Sequence, residues 1–127
     1  MNKSKLEELL QKSITLKSVS DTKLSIESKF KFLNGQPIKL YLVEEGTKIY
    51  LSDDKCTIRY LNELYELKSA DVKSCIANVL KLYSVKMIAG ELVLEVQNES
   101  KFIEKLNNFI LCINQLANMF VFFDKPE

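Results

Sequence analysis

Apolar and polar positions along the chain change period several times, and each change marks an element. Ser4-Lys5-Leu6-Glu7 has the Ser-x-x-Glu spacing of a capping box, in which each side chain satisfies an exposed amide of the other. It predicts a short helix from about Lys5 to Lys12 with Leu6, Leu9 and Leu10 on one face. Ile14 to Ser20 reads as a first extended piece. From Leu24 to Phe32 the alternation is nearly strict. Leu24, Ile26, Phe30 and Phe32 point one way and Ser25, Glu27, Lys29 and Lys31 the other, as in a half-buried strand. Asn34-Gly35-Gln36-Pro37 is a turn, with Asn-Gly suited to positive φ. Ile38 to Glu44 predicts a strand burying Ile38, Leu40 and Leu42. After Glu45-Gly46, Lys48 to Ser52 predicts another, burying Ile49 and Leu51. Asp53-Asp54-Lys55 then turns the chain into a strand over Cys56 to Leu61, with Ile58 and Tyr60 inward. This half reads as an antiparallel meander with one wet face.

The second half shifts to helical spacing. Ser69 is placed to cap a helix running to about Tyr83, where Val72, Ile76, Val79, Leu80 and Tyr83 recur at intervals of three and four. Val85 to Ile88 and Glu91 to Gln97 form a hairpin about Ala89-Gly90. Phe102, Leu106, Phe109, Ile113, Leu116 and Phe120 then make a long apolar stripe, with Ile103, Ile110 and Ala117 in a second row. A helix from Lys101 to Phe123 would span roughly 35 Å. The expected fold is α+β in the order αββββαββα, a single domain over residues 1–127. Its meander and second hairpin share one sheet, and the helices pack on one face.

Composition removes whole classes of chemistry. The 127 residues carry 18 basic and 17 acidic side chains, a formal net charge of +1. A general nucleic-acid binder needs a cationic surplus, so nucleic acid is not an expected partner. There is no histidine, which excludes His-based triads, His metal sites and imidazole pH switches. Arg59 is the lone arginine, so bidentate anion clamping has one donor. Cys56, Cys75 and Cys112 are far apart and form no Cys-x-x-Cys motif, which fits reduced thiols and a cytoplasmic setting. The first residues resemble no signal peptide, and no apolar run reaches the ~18 residues of a membrane span.

Four features could carry function. Asp53-Asp54 could hold a divalent metal, but its ordinary reading is one Asx-turn carboxylate and one solvated neighbour. A cysteine nucleophile would need a lysine or helix N-terminus to activate it. Cysteines within apolar helices are usually small core residues. Lys29, Lys31, Lys39, Lys48 and Arg59 are expected to point outward from the sheet beside Tyr41 and Tyr50. That face suits an acidic protein surface, or it is simply solvated. The surplus apolar surface of the last helix predicts a homodimer through Phe109, Ile113, Leu116, Phe120 and Phe123, or through the adjacent sheet edge. No catalytic residue, metal or cofactor is expected.

Two resemblances add to this reading. The run Val43-Glu44-Glu45-Gly46-Thr47-Lys48-Ile49-Tyr50-Leu51-Ser52-Asp53-Asp54 resembles the signature of domain of unknown function 1828, a phage- and prophage-borne family. The similarity continues through Thr57-Ile58-Arg59-Tyr60-Leu61, Val79-Leu80-Lys81-Leu82-Tyr83, Gly90-Glu91-Leu92 and the closing helix. Lys55 departs from it, because a glycine is usual there, so a different turn geometry is expected. The resemblance implies a small phage or mobile-element protein and supplies no catalytic residues. The element order is also similar to that of type III secretion chaperones, which are dimeric and hold an unfolded client segment, although those tend to be acidic. The expected function is a non-enzymatic module that binds and modulates or inhibits a host protein, such as a defence protein. The alternatives are a secretion-type chaperone and a metal-dependent hydrolase using Asp53 and Asp54.

Overall fold

In the computed structural model, which describes residues 2–4, 6, 14–65 and 67–119, six strands form one antiparallel sheet. The strands are β1 (Thr15–Ser20), β2 (Lys23–Glu27), β3 (Leu40–Glu45), β4 (Lys48–Ser52), β5 (Lys86–Ile88) and β6 (Glu91–Glu95). Their spatial order is β1-β2-β3-β4-β6-β5. The helices are α1 (Cys56–Leu64), α2 (Ala70–Leu82) and α3 (Phe102–Ala117), the last entered through a 3₁₀ turn at Glu99–Lys101. This is the expected α+β class. The predicted N-terminal helix lies mostly outside the described residues, but Leu6 donates its N–H to the Asn2 carbonyl at 3.1 Å and is buried.

The pleat sorts the strands cleanly. Leu24, Ile26, Leu40, Leu42, Leu51, Leu92 and Leu94 face one side and join Tyr60, Leu61, Ile76, Val79, Phe102, Phe109 and Ile113 in one core. The intervening residues Lys23, Ser25, Tyr41, Val43, Tyr50 and Val93 are only half-buried and belong to no part of that core. Among the described residues the helices therefore occupy one face and leave the other bare.

Three expectations need correction. Cys56–Leu61 is the start of α1 and not a strand. Six residues of alternating pattern also satisfy a helix: Thr57, Tyr60 and Leu61 are buried and Leu64 packs partly beside them, an i, i+3, i+4, i+7 set. The predicted strand over Leu24–Phe32 ends at Glu27. Beyond it the chain makes a small hairpin of its own, with Ile38 N–H bonded to the Phe30 carbonyl (3.0 Å) and Phe32 N–H to the Gln36 carbonyl (2.9 Å). Gly35 turns that hairpin at φ 87°. Phe32 swings inward to stack on Tyr60 of α1, with ring centroids 4.2 Å apart, while Phe30 stays partly exposed. Ser69 stands at the N-cap of α2 as predicted, but its hydroxyl makes no capping bond.

The third correction concerns α3. Phe109, Ile113 and Leu116 are completely buried within a single chain, and Phe120 and Phe123 lie outside the described residues. The double-width stripe is used internally, because α3 contacts α1, α2 and β6 at once. A helix with neighbours on three sides needs more apolar surface than one lying on a sheet. The expected dimer surface on those three residues is therefore core.

Leu111, 52% exposed, is the large apolar side chain that α3 leaves outside. Phe109→Ala should cost about 3–5 kcal/mol in urea denaturation, whereas Leu111→Ala should cost less than about 1 kcal/mol. Comparable small losses at both positions would contradict this placement.

Candidate functional site

The turn after β4 holds the sole charged side chain in the buried core among the described residues. Asp53 is fully buried, and its carboxylate accepts three backbone N–H groups. Oδ1 takes those of Lys55 (3.0 Å) and Leu92 (2.9 Å), and Oδ2 takes that of Thr57 (3.1 Å). The Asp53 N–H in turn donates to the Leu92 carbonyl at 3.3 Å. A buried carboxylate is tolerable only when it is so satisfied, and here one side chain caps α1 and fastens it to β6. Next to it the Ser52 hydroxyl donates to a Glu91 carboxylate oxygen and accepts the Asp54 N–H at 3.1 Å.

Asp54 is exposed, and the two aspartates do different jobs. Asp54 and Lys55 both have positive φ, 51° and 68°. Lys55 thus adopts the left-handed conformation that glycine enters without steric cost. Lysine here occupies a backbone position of the kind glycine favours. With its carboxylate engaged by backbone donors, Asp53 is a structural latch. Among the described residues no group of three or more Cys, Asp or Glu side chains converges as a metal site would require.

The cysteines are free. Burial pushes the Cys56 thiol above its ordinary value, and its Sγ–H points to the Lys39 carbonyl at 3.7 Å. Burial, reinforced by the Asp53 charge, pushes Cys112 up to about 12. Both remain thiols at neutral pH, the opposite of an activated nucleophile.

The bare sheet face is the larger feature. Cross-strand registers align its side chains in rows. One row runs Lys23, Val43, Tyr50, Glu95 across β2, β3, β4 and β6. The next runs Lys17, Ser25, Tyr41, Ser52, Val93, Lys86 from edge to edge. Glu45 and Lys48 pair at the β3–β4 hairpin. The Lys23 ammonium sits 4.3 Å from the Tyr41 ring centroid, a cation–π contact. The Tyr50 hydroxyl donates to Glu45 Oε2 at 3.1 Å. Both phenols are raised in pKa, Tyr41 by burial and then by the Asp54, Cys56 and Glu27 charges, Tyr50 by burial and then by its bond to Glu45. They stay protonated donors at neutral pH.

Two depressions mark the face. One of about 220 Å³ lies among Ser25, Glu27, Pro37, Lys39 and Tyr41. The other, about 400 Å³, is lined by Lys48, Tyr50, Lys86, Ile88, Val93 and Glu95. Of the residues expected on this face, Tyr41, Lys48 and Tyr50 are on it, and Lys39 lines its rim. Lys29 and Lys31 are carried instead by the hairpin between β2 and β3, where Lys31 bridges to Pro37. Arg59 is exposed on α1, away from the strands, because its segment is helical. Lys17, Lys23, Val43, Lys86 and Val93 were missed. Strict alternation outward from Leu42 and Leu94 would have found the two valines.

Fold and face together define a one-sided α+β domain: a six-stranded antiparallel sheet with its helices on one side. The chain belongs to the family described as domain of unknown function DUF1828, whose model matches residues 28–116. That span includes β3 to β6, all three helices except the last residue of α3, and the Asp53 turn, but neither β1 nor β2. No curated protein and no solved structure matches the chain. Among the described residues no helix is long and apolar enough to cross a membrane.

The two aspartates make a direct test of the latch. Asp53→Asn replaces an acceptor oxygen with a donor facing backbone N–H groups and should cost about 2–4 kcal/mol by urea denaturation. Asp54→Asn, solvated and tolerant of positive φ, should change stability by less than about 0.5 kcal/mol. Equal effects would refute the division of roles.

Proposed function

We propose that this protein is a non-enzymatic, cytoplasmic protein-binding module of phage or mobile-element origin that engages a host protein through the bare face of its sheet. Modulation or inhibition of a host defence protein is the most specific form of this reading, and it draws on the family resemblance alone. The observation that carries the binding role is the face itself. It has a half-buried centre of Tyr41, Val43, Tyr50 and Val93 ringed by Lys17, Lys23, Lys48, Lys86, Glu45 and Glu95. An aromatic and aliphatic centre with a charged rim is the ordinary anatomy of a protein contact. Both signs of charge interleave there, which favours a protein partner over a polyanion. Lys29 and Lys31 are exposed on the hairpin that links β2 to β3.

Tagged protein should capture one stoichiometric, nuclease-resistant protein from a bacterial host lysate. Tyr41→Ser combined with Tyr50→Ser should abolish capture while the chain stays folded by circular dichroism. Capture that survives this double substitution, or that disappears on nuclease treatment, would rule the face out as the contact. Loss with Lys29→Glu and Lys31→Glu alone would move the contact to the hairpin.

A further inference from the structure

The solvent side of α3 carries almost no charge. Residues 106–123 contain no Asp, Glu, Lys or Arg, in a chain that is 28% charged. The outward positions of α3 repeat every seven residues in three rows. Glu104, Leu111 and the C-cap residue Asn118 form the middle row, with Asn107 and Asn114 on one flank and Asn108 and Gln115 on the other. All are exposed or half-buried. A solvated helix side ordinarily carries Lys and Glu, which also form helices better than Asn does. The asparagines within α3 therefore give up helix stability and add no charge. The side-chain amides of Asn107, Asn108 and Asn114 make no hydrogen bond among the described residues. Depletion of charge around an exposed apolar side chain is the composition of a contact's centre.

From this stripe we infer that α3 pairs antiparallel with α3 of a second copy of this chain, about a two-fold axis at Leu111. The amides select the occupant. A face that meets its own copy sets like against like near the axis, where charges repel, whereas a carboxamide both donates and accepts and so complements itself. The seven-residue spacing fixes the facing pairs, as in an antiparallel helix pair. Leu111 meets the other copy's Leu111, Asn107 its Asn114, and Asn108 its Gln115. Glu104, already 3.6 Å from Lys101, meets Asn118. The Asn118 Nδ2 donates to the Asn114 carbonyl and keeps a second N–H for that carboxylate. No like charges face each other along the stripe. Beside Gln115 a groove of about 560 Å³ runs along α2, lined by Cys75, Val79 and Leu82 with Asp71 as its one charged residue. From Glu104 to Asn118 the stripe is roughly 21 Å long and about 10 Å wide. That is smaller than a standing dimer interface, so the association is weak, with Kd on the order of 100 μM. The contact lies on the helical side of the molecule and does not depend on host docking at the sheet.

Disulfide trapping in the full-length chain tests both the contact and its register. The background is Cys75→Ser, because Cys56 and Cys112 are buried. Under mild oxidation Leu111→Cys should link to its own copy. Asn107→Cys and Asn114→Cys should each stay unlinked alone and link to one another when mixed. Positions seven apart face across the axis, whereas like positions lie beyond the ~7 Å reach of a disulfide. Asn62→Cys, exposed on α1, reports random collision. In sedimentation, wild type should show a monomer–dimer equilibrium at high micromolar concentration. Leu111→Asp sets two carboxylates on the axis and should weaken it at least about tenfold while circular dichroism stays unchanged. Tyr41→Ser with Tyr50→Ser should dimerise like wild type, which separates this contact from the sheet face. A wild type that stays monomeric overturns the inference, as does a Leu111→Asp variant that dimerises normally. Leu111→Cys linking no faster than Asn62→Cys overturns it too, and so does Asn107→Cys linking to itself as readily as to Asn114→Cys. Loss of the dimer on the two tyrosine substitutions would move self-association to the sheet and away from α3.

Discussion

A fully buried carboxylate with no cationic partner among the described residues is the constraint from which the rest of this structure follows. Asp53 must be satisfied by hydrogen bonds, and the donors within reach are backbone N–H groups of the following turn, of the first turn of α1 and of β6. Meeting that demand forces Asp54 and Lys55 into positive φ and reverses the chain out of β4. It starts a helix at Cys56 and brings β6 alongside β4, although thirty-eight residues separate Ser52 from Glu91 in sequence. One side chain thereby joins the meander to the second hairpin, so that six strands make one sheet.

That junction also explains why the sheet is one-sided. With α1 launched toward the leucine face, α2 and α3 follow onto the same side, and α3 is enclosed by α1, α2 and β6. Most of the apolar surface of these helices is consumed there. The opposite face is left with Tyr41, Val43, Tyr50 and Val93, residues that suit a pleated surface and are too apolar to be indifferent to a partner. The proposed protein-binding role draws on this single architectural fact.

Much of the architecture was legible because strand alternation and helical spacing extend over enough residues to be unambiguous. β4, α2, the Ala89-Gly90 hairpin and the body of α3 lie where periodicity puts them. The failures have physical causes. Cys56–Leu61 is too short for period two and period 3.6 to be told apart, and the deciding signal was Asp53 as a helix cap four residues before Thr57. Phe30 and Phe32 alternate correctly but after Ile26, the last β2 residue paired with β3, so alternation without a partner was misread as strand. The α3 stripe was judged against a single packing partner when it has three. On the bare face, Tyr41, Lys48 and Tyr50 were readable from pleat parity; Lys23 and Lys17 share that parity beside Leu24 and Leu16, but which residues they align with was not readable, because register between strands is a tertiary property.

The most direct measurement of the central claim is native-state hydrogen exchange at the Thr57 and Leu92 amides. Thr57 is in the first turn of α1, where backbone N–H groups normally lack an intrahelical partner and exchange fast. If Asp53 binds both amides, they should be protected to a similar degree and open together, in the same cooperative event that exposes the core. Exchange of the Thr57 amide at a loop-like rate, independent of Leu92, would contradict the account.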